Sequence, residues 1–239
     1  MVRPMDALWI LVACFTVYSN SLENSFHYDD EHSIEKNIHL RDLGNWSQFF
    51  TDTSTFSVDA SKGMFRPLLV TSFALNYAWG EYDVGSYHVV NILIHAACAC
   101  LLWALVGAMR AGSRTALWAG LLFAVHPLAS EPVNYISARS ESLAGMFYLG
   151  GLVSFAVAYG WGRETFKYVS WICLFAGLLS KSSVITLPAA LLLFDGILLH
   201  RIRSKWSLRE AVSRHGVYWL IASFYLLYIN YNRFLTTSL

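Results

Sequence analysis

The residues best suited to chemistry lie in short polar stretches between long apolar blocks. An acidic pair, Asp29-Asp30, stands in the stretch Phe26–His32, shortly after the first apolar block. A carboxylate beside a membrane can act as a general base toward a hydroxyl group. The same pair can instead cap a helix predicted to begin near Ser33, because carboxylates stabilise helix N-termini. The sequence leaves both interpretations of the pair open.

A second set of polar residues comes from several other segments of the chain. Its members are Arg66, His88, Asn91, His95, His126, Glu131, Arg139, Glu141 and Lys181. Spacings of three and four place His88, Asn91 and His95 on one stripe of a helix. Ionisable residues in membrane segments are costly and therefore candidates for function. The structural alternatives are polar contacts between helices for the stripe, an ion pair between Glu131 and Arg139, and a snorkelling lysine.

Together these residue types favour transfer of a glycosyl group from a lipid-phosphate sugar. A carboxylate would take the proton of an acceptor hydroxyl, and cations would neutralise the departing phosphate, for which the forked guanidinium of arginine is well suited. A groove between helices would hold the lipid tail. The acidic pair with His27 and His32 could hold a divalent ion, but the spacing matches no strong metal motif, so we predict no metal site and no cofactor.

The elements that position these residues are predicted from composition. The chain has 239 residues, 56% hydrophobic and 14% charged, against roughly 45–50% and 25% in soluble domains. This composition excludes a disordered chain, and a net charge of +1 argues against a nucleic-acid partner. Seven apolar blocks approach the ~20 residues that cross a bilayer: Met5–Leu22, Ser86–Met109, Thr115–Leu128, Leu143–Trp161, Tyr168–Leu179, Val184–Leu199 and Val217–Leu235.

The charge of the connections sets the predicted orientation. Nine lysines and arginines lie in the connections Arg110–Arg114, Arg163–Lys167 and His200–His215. Seven spans with a cytoplasmic N-terminus place all three connections inside, as the positive-inside rule requires. We therefore predict that Pro67–Trp79 lies on the surface or is re-entrant. The segment 23–85 becomes a large outer loop, with amphipathic pieces at Ile34–Leu43 and Trp46–Phe50, and the candidate residues gather on this outer side.

At the same residues the sequence resembles the membrane-embedded glycosyltransferases of the GT-C class. The likeness is closest to the tetratricopeptide-containing transmembrane O-mannosyltransferases and their bacterial relatives, and it extends from about Asn24 to Asp195. The matching stretches are Phe26–Asp30, Phe65–Leu68, Asn76-Tyr77, Ser86–Asn91 with His95, Leu122–Pro127, Glu131–Val133, Ala138–Leu143 and Leu179–Lys181. The chain departs from that group at Ser182, where a glutamate usually follows the lysine.

The resemblance implies an all-α membrane protein: a GT-C-type polytopic helical bundle of about seven transmembrane helices, with amphipathic helices in a large first outer loop. It implies one such module over residues 1–239, without the further C-terminal helices and tetratricopeptide repeats of the group. Asp29 or Asp30 would be the catalytic carboxylate, and the second set of residues would line the site of the donor phosphate or sugar.

The implied reaction moves a sugar, mannose by this likeness, from a polyprenyl- or dolichyl-phosphate donor to a serine or threonine hydroxyl of a protein. It would take place on the periplasmic or lumenal face of a bacterial inner membrane or an endoplasmic reticulum membrane. The alternatives are a lipid or cell-wall glycan acceptor, a non-catalytic transporter or assembly subunit, and an inactive fragment.

Overall fold

The computed structural model describes residues 3–196 and 208–237, and no strand forms within these ranges. Its α-helices are α1 (Pro4–Tyr18), α2 (Pro67–Gly80), α3 (Val84–Ala108), α4 (Ser113–Ala124), α5 (Ser130–Asn134), α6 (Arg139–Phe155), α7 (Phe166–Ser180), α8 (Leu187–Phe194) and α9 (Leu208–Thr237). Short 3₁₀ and π turns fill much of the chain between them. The prediction of an all-α membrane protein is confirmed.

Within the described ranges, three helical stretches are long and apolar enough to cross a membrane. They are Met5–Glu23, Val84–Ala108 and Ile136–Gly160. Helix α4 and the stretch Pro127–Asn134 meet at a bend of 50° and add a fourth span if the pair crosses as one. The predicted fifth and sixth spans fall on apolar helices shorter than 18 residues, and α9, which carries the predicted seventh, is not among the three. A count of seven therefore stays a prediction.

Two parts of the topology prediction are not settled by the fold. The end of the predicted sixth span at Leu199, and the basic residues Arg201, Arg203 and Lys205, lie outside the described residues. The side of the membrane that each connection faces also stays a prediction. Helix α2 has 14 residues and α7, a predicted span, has 15, so the surface-lying or re-entrant placement of α2 stays a prediction.

Local chemistry explains where α3 begins and how it joins α4. The Asp83 carboxylate accepts a hydrogen bond from Ser86 N at 3.2 Å, which satisfies one of the free N–H groups at a helix start. At the other end Arg110 and Gly112 have φ values of 59° and 95°. This left-handed backbone turns the chain sharply, so that α4 packs back along α3.

The connection between α1 and α2, residues 19–66, which we call the first connection, folds as a series of single turns packed against α2. Its apolar side chains Ile34, Leu40, Phe49 and Phe56 are buried in one cluster with Leu69, Val70, Phe73 and Ala74 of α2. Burying such side chains contributes roughly 1.5–3 kcal/mol each. The connection is thus a packed layer over α2, and its polar residues are held in fixed positions.

Close packing fixes the junction of α7 with the turn that follows it. A Cβ atom at Gly177 would lie 2.7 Å from Val184 Cγ1 and 3.2 Å from Phe147 Cβ on α6. Only glycine leaves room for this approach. The start of α6 and the end of α7 are consequently neighbours, and each end carries candidate site residues.

Candidate functional site

The two adjacent aspartates have different surroundings. Asp30 is 1% exposed. Its carboxylate accepts hydrogen bonds from Ser137 N at 2.8 Å, from Ser137 Oγ and from His27 N at 3.0 Å. These bonds join the first connection to the chain just before α6. The side chain of Asp29 is 55% exposed, so Asp29 is the member of the pair that a substrate can reach.

Asp29 is held by two basic side chains. Lys62 Nζ donates to Asp29 Oδ1 at 3.0 Å, and His32 Nε2 lies 3.0 Å from the same oxygen. The hydrogen bond with His32 and then that with Lys62 lower the pKa of Asp29 to about 2. Since hydrogen bonds to the ionised form favour that form, Asp29 is a carboxylate throughout the physiological pH range.

The Asp29 carboxylate opens into a small cavity of about 90 Å³ that contains two cationic side chains, Lys62 and Arg66. Arg66 Nη1 donates to Ser140 Oγ at 3.1 Å, and its guanidinium lies 5.7 Å from the centre of the Phe56 ring. Burial lowers the pKa of Arg66 from its ordinary value. We call this space the Asp29 cavity. It combines one carboxylate with two cations, one of which is partly shielded from water.

Lys181 and Glu141 form an ion pair between the end of α7 and the start of α6. Burial, and then the nearby charge of Arg66, lower the pKa of Lys181. Lys181 therefore belongs to the same cationic region as Arg66. The structure brings together Arg66, Lys181 and Glu141, which the sequence predicts as parts of one site, and adds Lys62 to them.

An aromatic groove begins beside this cationic region. It has a volume of about 270 Å³ and is lined by Phe50, Phe65, Phe175, Leu179, Ile221, Phe224, Tyr225 and Tyr228. Phe65 precedes Arg66 in the chain, and Tyr225 lies close enough to Arg66 to influence the pKa of its guanidinium. The groove is apolar over most of its lining, so it fits a hydrocarbon chain whose polar end reaches the cations.

The polar stripe of α3 serves helix packing. Asn91 Nδ2 donates to Val133 O at 3.2 Å, and His95 Nε2 lies 3.1 Å from Ala124 O with its ring stacked on Phe123. His88 is fully buried, beside the backbone of Asn24. None of the three lines the Asp29 cavity. The surroundings of Asn91 and His95 match the alternative in which they are polar contacts between helices, whereas neither ring nitrogen of His88 has a hydrogen-bond partner within the described residues.

Arg139 does not line the Asp29 cavity, because it is fully buried behind the Phe73 ring, which forms part of the cavity wall. Its guanidinium donates to Asn91 Oδ1 at 2.6 Å and to Tyr87 O at 3.0 Å, and it lies 4.7 Å from the centre of the Phe73 ring. Arg139 forms no ion pair with a carboxylate within the described ranges, and so not with Glu131. In this conformation Arg139 links α2, α3 and α6 and cannot contact a phosphate.

The last two predicted residues lie elsewhere on the surface. His126 Nδ1 accepts from Leu128 N at 3.2 Å, so His126 caps the turn after α4 and lines neither cavity. Glu131 lines a separate open cleft of about 500 Å³ next to the acidic pair, together with His27 and Tyr28; we call it the Glu131 cleft. In the part of the chain that the structure describes, no group of three or more His, Cys, Asp or Glu is arranged to hold a metal ion.

Lys62, Ser137 and Tyr135 are contacts of the acidic pair that sequence reasoning missed. The Tyr135 hydroxyl accepts a hydrogen bond from Asp29 N at 3.0 Å. Lys62 lies in a polar stretch with no helical or motif signal, and Ser137 is 107 residues from its partner Asp30. Their roles depend on tertiary packing, which no local pattern encodes.

Comparison with known proteins places the chain beside protein O-mannosyl-transferases. It is 30% identical over 209 residues, 84% of the chain, to mouse Protein O-mannosyl-transferase TMTC2, and 32% identical over 196 residues to the Xenopus laevis protein of that name. It is 28% identical over 231 residues to Drosophila melanogaster Protein O-mannosyl-transferase Tmtc3. No family model and no solved structure matches.

These matches confirm the resemblance predicted from the sequence: the chain is homologous to O-mannosyl-transferases of this kind over most of its own length. It spans about a quarter of the length of the mouse and Drosophila relatives, since the aligned part is 25% of each.

Proposed function

We propose that this chain is the membrane module of a glycosyltransferase that moves mannose from a polyprenyl- or dolichyl-phosphate donor to a serine or threonine hydroxyl of a protein. The names of its relatives support mannosyl transfer to protein. The observation that carries the proposal is the Asp29 cavity, where a solvent-accessible carboxylate stands beside Lys62 and Arg66. We further propose that this site faces the periplasm or a lumen.

In the proposed reaction Asp29 takes the proton of the acceptor hydroxyl. The hydroxyl oxygen forms a bond to the anomeric carbon of the sugar, and the bond from that carbon to the phosphate oxygen breaks. The lipid phosphate departs with the electron pair, and the anomeric centre inverts. A positioned general base of this kind contributes typically 10²–10⁴-fold to the rate.

Lys62 and Arg66 would bind the phosphate of the donor. Charge-assisted hydrogen bonds to phosphate are among the strong ones, so the phosphate would compete with Asp29 for the Lys62 ammonium. Release of Lys62 would raise the pKa of Asp29 and make it a better base once the donor is bound. Arg66, already fixed by Ser140 and the Phe56 ring, would stay in place, and Lys181 would add positive potential behind it.

The aromatic groove would hold the lipid end of the donor. Its wall residues Phe65 and Tyr225 adjoin Arg66, so a single molecule could fill the groove and place its phosphate at the cations. Burial of hydrocarbon contributes about 0.8 kcal/mol per CH₂ group. The groove would therefore select a lipid-linked donor over a water-soluble sugar phosphate.

The test is mannose transfer from dolichyl-phosphate mannose to a serine-containing peptide, by membranes that carry the full-length chain. Asp29→Asn keeps the size of the side chain and removes its basicity, so we expect kcat/KM to fall at least about 100-fold. Glu35→Gln is the matched control, because Glu35 is an exposed carboxylate of the same connection that lines no cavity described above. Full activity of the Asp29→Asn variant would disprove the proposal.

A further inference from the structure

The Glu131 cleft opens beside the acidic pair, and neither Lys62 nor Arg66 lines it. It is lined by Asn24, His27, Tyr28, Ser130, Glu131, Asn134 and Tyr135. At about 500 Å³ it is within the range of small-ligand sites and more than five times the volume of the Asp29 cavity. Its lining comes from the first connection and from the segment around α5, the two parts that Asp30 and Ser137 join.

The cleft is physically linked to Asp29. The Tyr135 hydroxyl accepts from Asp29 N at 3.0 Å, and the Tyr135 ring makes an edge contact with Tyr28 at a centroid distance of 6.2 Å. Tyr28 has a left-handed φ of 50° and is 89% exposed. A tyrosine in this backbone conformation is uncommon, and here it holds an aromatic side chain out at the edge of the cleft.

The chemistry of the lining points to an extended polypeptide. Two tyrosines supply rigid, amphipathic contact surface, and amide side chains supply adaptable hydrogen bonds, the combination that protein-binding surfaces favour. The side chains of Asn24 and Asn134 are suited to a peptide backbone, which carries a donor and an acceptor at almost every residue.

The charge of the cleft argues against the phosphate end of a donor. The carboxylate in its lining is that of Glu131, which is exposed and makes no ion pair or hydrogen bond within the described ranges. A carboxylate repels phosphate, whereas Lys62 and Arg66 in the Asp29 cavity attract it. The donor phosphate therefore belongs in the Asp29 cavity, which leaves the Glu131 cleft for an acceptor.

We propose that this cleft binds the stretch of the acceptor protein that flanks its serine or threonine, and that Glu131 selects acceptors with a lysine or arginine in that stretch. This inference rests on the proposed function and adds a substrate preference to it. Glu131 does not take part in the bond-making step. It acts as a specificity-determining residue by forming a solvent-exposed ion pair with the lysine or arginine of the acceptor.

The experiment compares two serine peptides that are identical except for a flanking lysine or glutamate. Anisotropy of the fluorescently labelled peptides on the detergent-solubilised full-length chain gives their affinities, and mannose transfer from dolichyl-phosphate mannose gives KM and kcat. We expect the lysine peptide to bind about threefold more tightly, the size of effect that an exposed ion pair gives, with kcat little changed. Glu131→Gln should remove this preference, and Glu131→Lys should reverse it.

Glu35→Lys is the matched control, because it makes the same charge change at an exposed carboxylate that does not line the cleft. The proposal predicts that this variant keeps the lysine preference. Equal binding of the two peptides by the unmodified chain, or the same preference in Glu131→Lys, would overturn the inference. Peptide binding with the predicted preference but without any transfer would instead refute the proposed function and leave the cleft as a peptide site.

Discussion

Asp30 is buried and Asp29 is exposed, so we predict that substitution of Asp30 lowers the stability of the chain and substitution of Asp29 lowers its activity. Asp30 is buried and accepts from three donors: two backbone N–H groups and the Ser137 hydroxyl. In Asp30→Asn one carboxylate oxygen becomes an NH₂ group. If the remaining oxygen faces Ser137, the NH₂ faces the His27 N–H, which loses its acceptor.

The magnitude follows from these contacts. An unsatisfied buried donor costs about 1–3 kcal/mol, and the bonds that remain lose part of their strength because the acceptor is no longer charged. Relief of the cost of burying a charge offsets some of this loss. We expect the free energy of unfolding to fall by about 2 kcal/mol, and Tm by about 4–8 °C for a chain of this size.

The assay is thermal unfolding of the purified full-length chain in detergent, followed by mannose transfer well below Tm. Asp29→Asn is the matched variant. Its ion pair is exposed and contributes about 0.5 kcal/mol, so Tm should fall only about 1–2 °C while transfer is lost. Asp30→Asn should show the opposite pattern. An Asp30→Asn chain with unchanged Tm and no transfer would refute the reasoning and make Asp30 the candidate base.

Two further predictions concern the cations. The hydrogen bonds with His32 and Lys62 lower the pKa of Asp29 from 3.8 to about 2, so Asp29 stays ionised above pH 3.8 and is protonated only as the pH falls toward 2. In Lys62→Met the pKa of Asp29 should rise, and the acid limb of the kcat/KM profile should therefore move to higher pH. An unmoved limb would show that Lys62 does not tune Asp29. Arg139→Met leaves the buried Asn91 Oδ1 without its donor and removes one donor from the carbonyl oxygens of Ser72 and Tyr87, which lie inside α2 and α3. The free energy of unfolding should therefore fall by about 1–3 kcal/mol, the cost of a buried polar group without a partner, whereas Arg139→Lys should restore part of this loss. Equal Tm values for both variants and the unmodified chain would contradict the role of Arg139 as a link between helices.

The sequence predicts the helices well where a local signal marks their ends. The predicted span Ser86–Met109 corresponds to α3 at Val84–Ala108, because Asp83 caps the helix start and the left-handed turn at Arg110 ends it. The first connection was harder to predict. Its amphipathic pieces at Ile34–Leu43 and Trp46–Phe50 fold as separate short turns, since their apolar side chains must follow the surface of α2 rather than form one helical stripe.

The candidate site shows why residue type alone does not assign a role. Arg66 and Arg139 are equally good phosphate ligands by chemistry, and both lie in stretches that resemble the same group of enzymes. Only tertiary packing separates them: Arg66 opens into a cavity with Asp29, and Arg139 is enclosed by α2, α3 and α6. Burial by segments distant in the sequence cannot be derived from local spacing.

The same distant packing explains why the two aspartates are adjacent. Asp30 fixes the first connection to Ser137, and this anchor holds the peptide unit of Asp29 against Tyr135. Asp29 is thereby held with its carboxylate on Lys62 and its backbone N–H on the hydroxyl of Tyr135, a residue that lines the Glu131 cleft. A single carboxylate could not supply both the buried anchor and the exposed base, because one role requires full burial and the other requires access. In the proposed reaction the acidic pair therefore combines a buried anchor, Asp30, with an accessible carboxylate, Asp29, beside two cations.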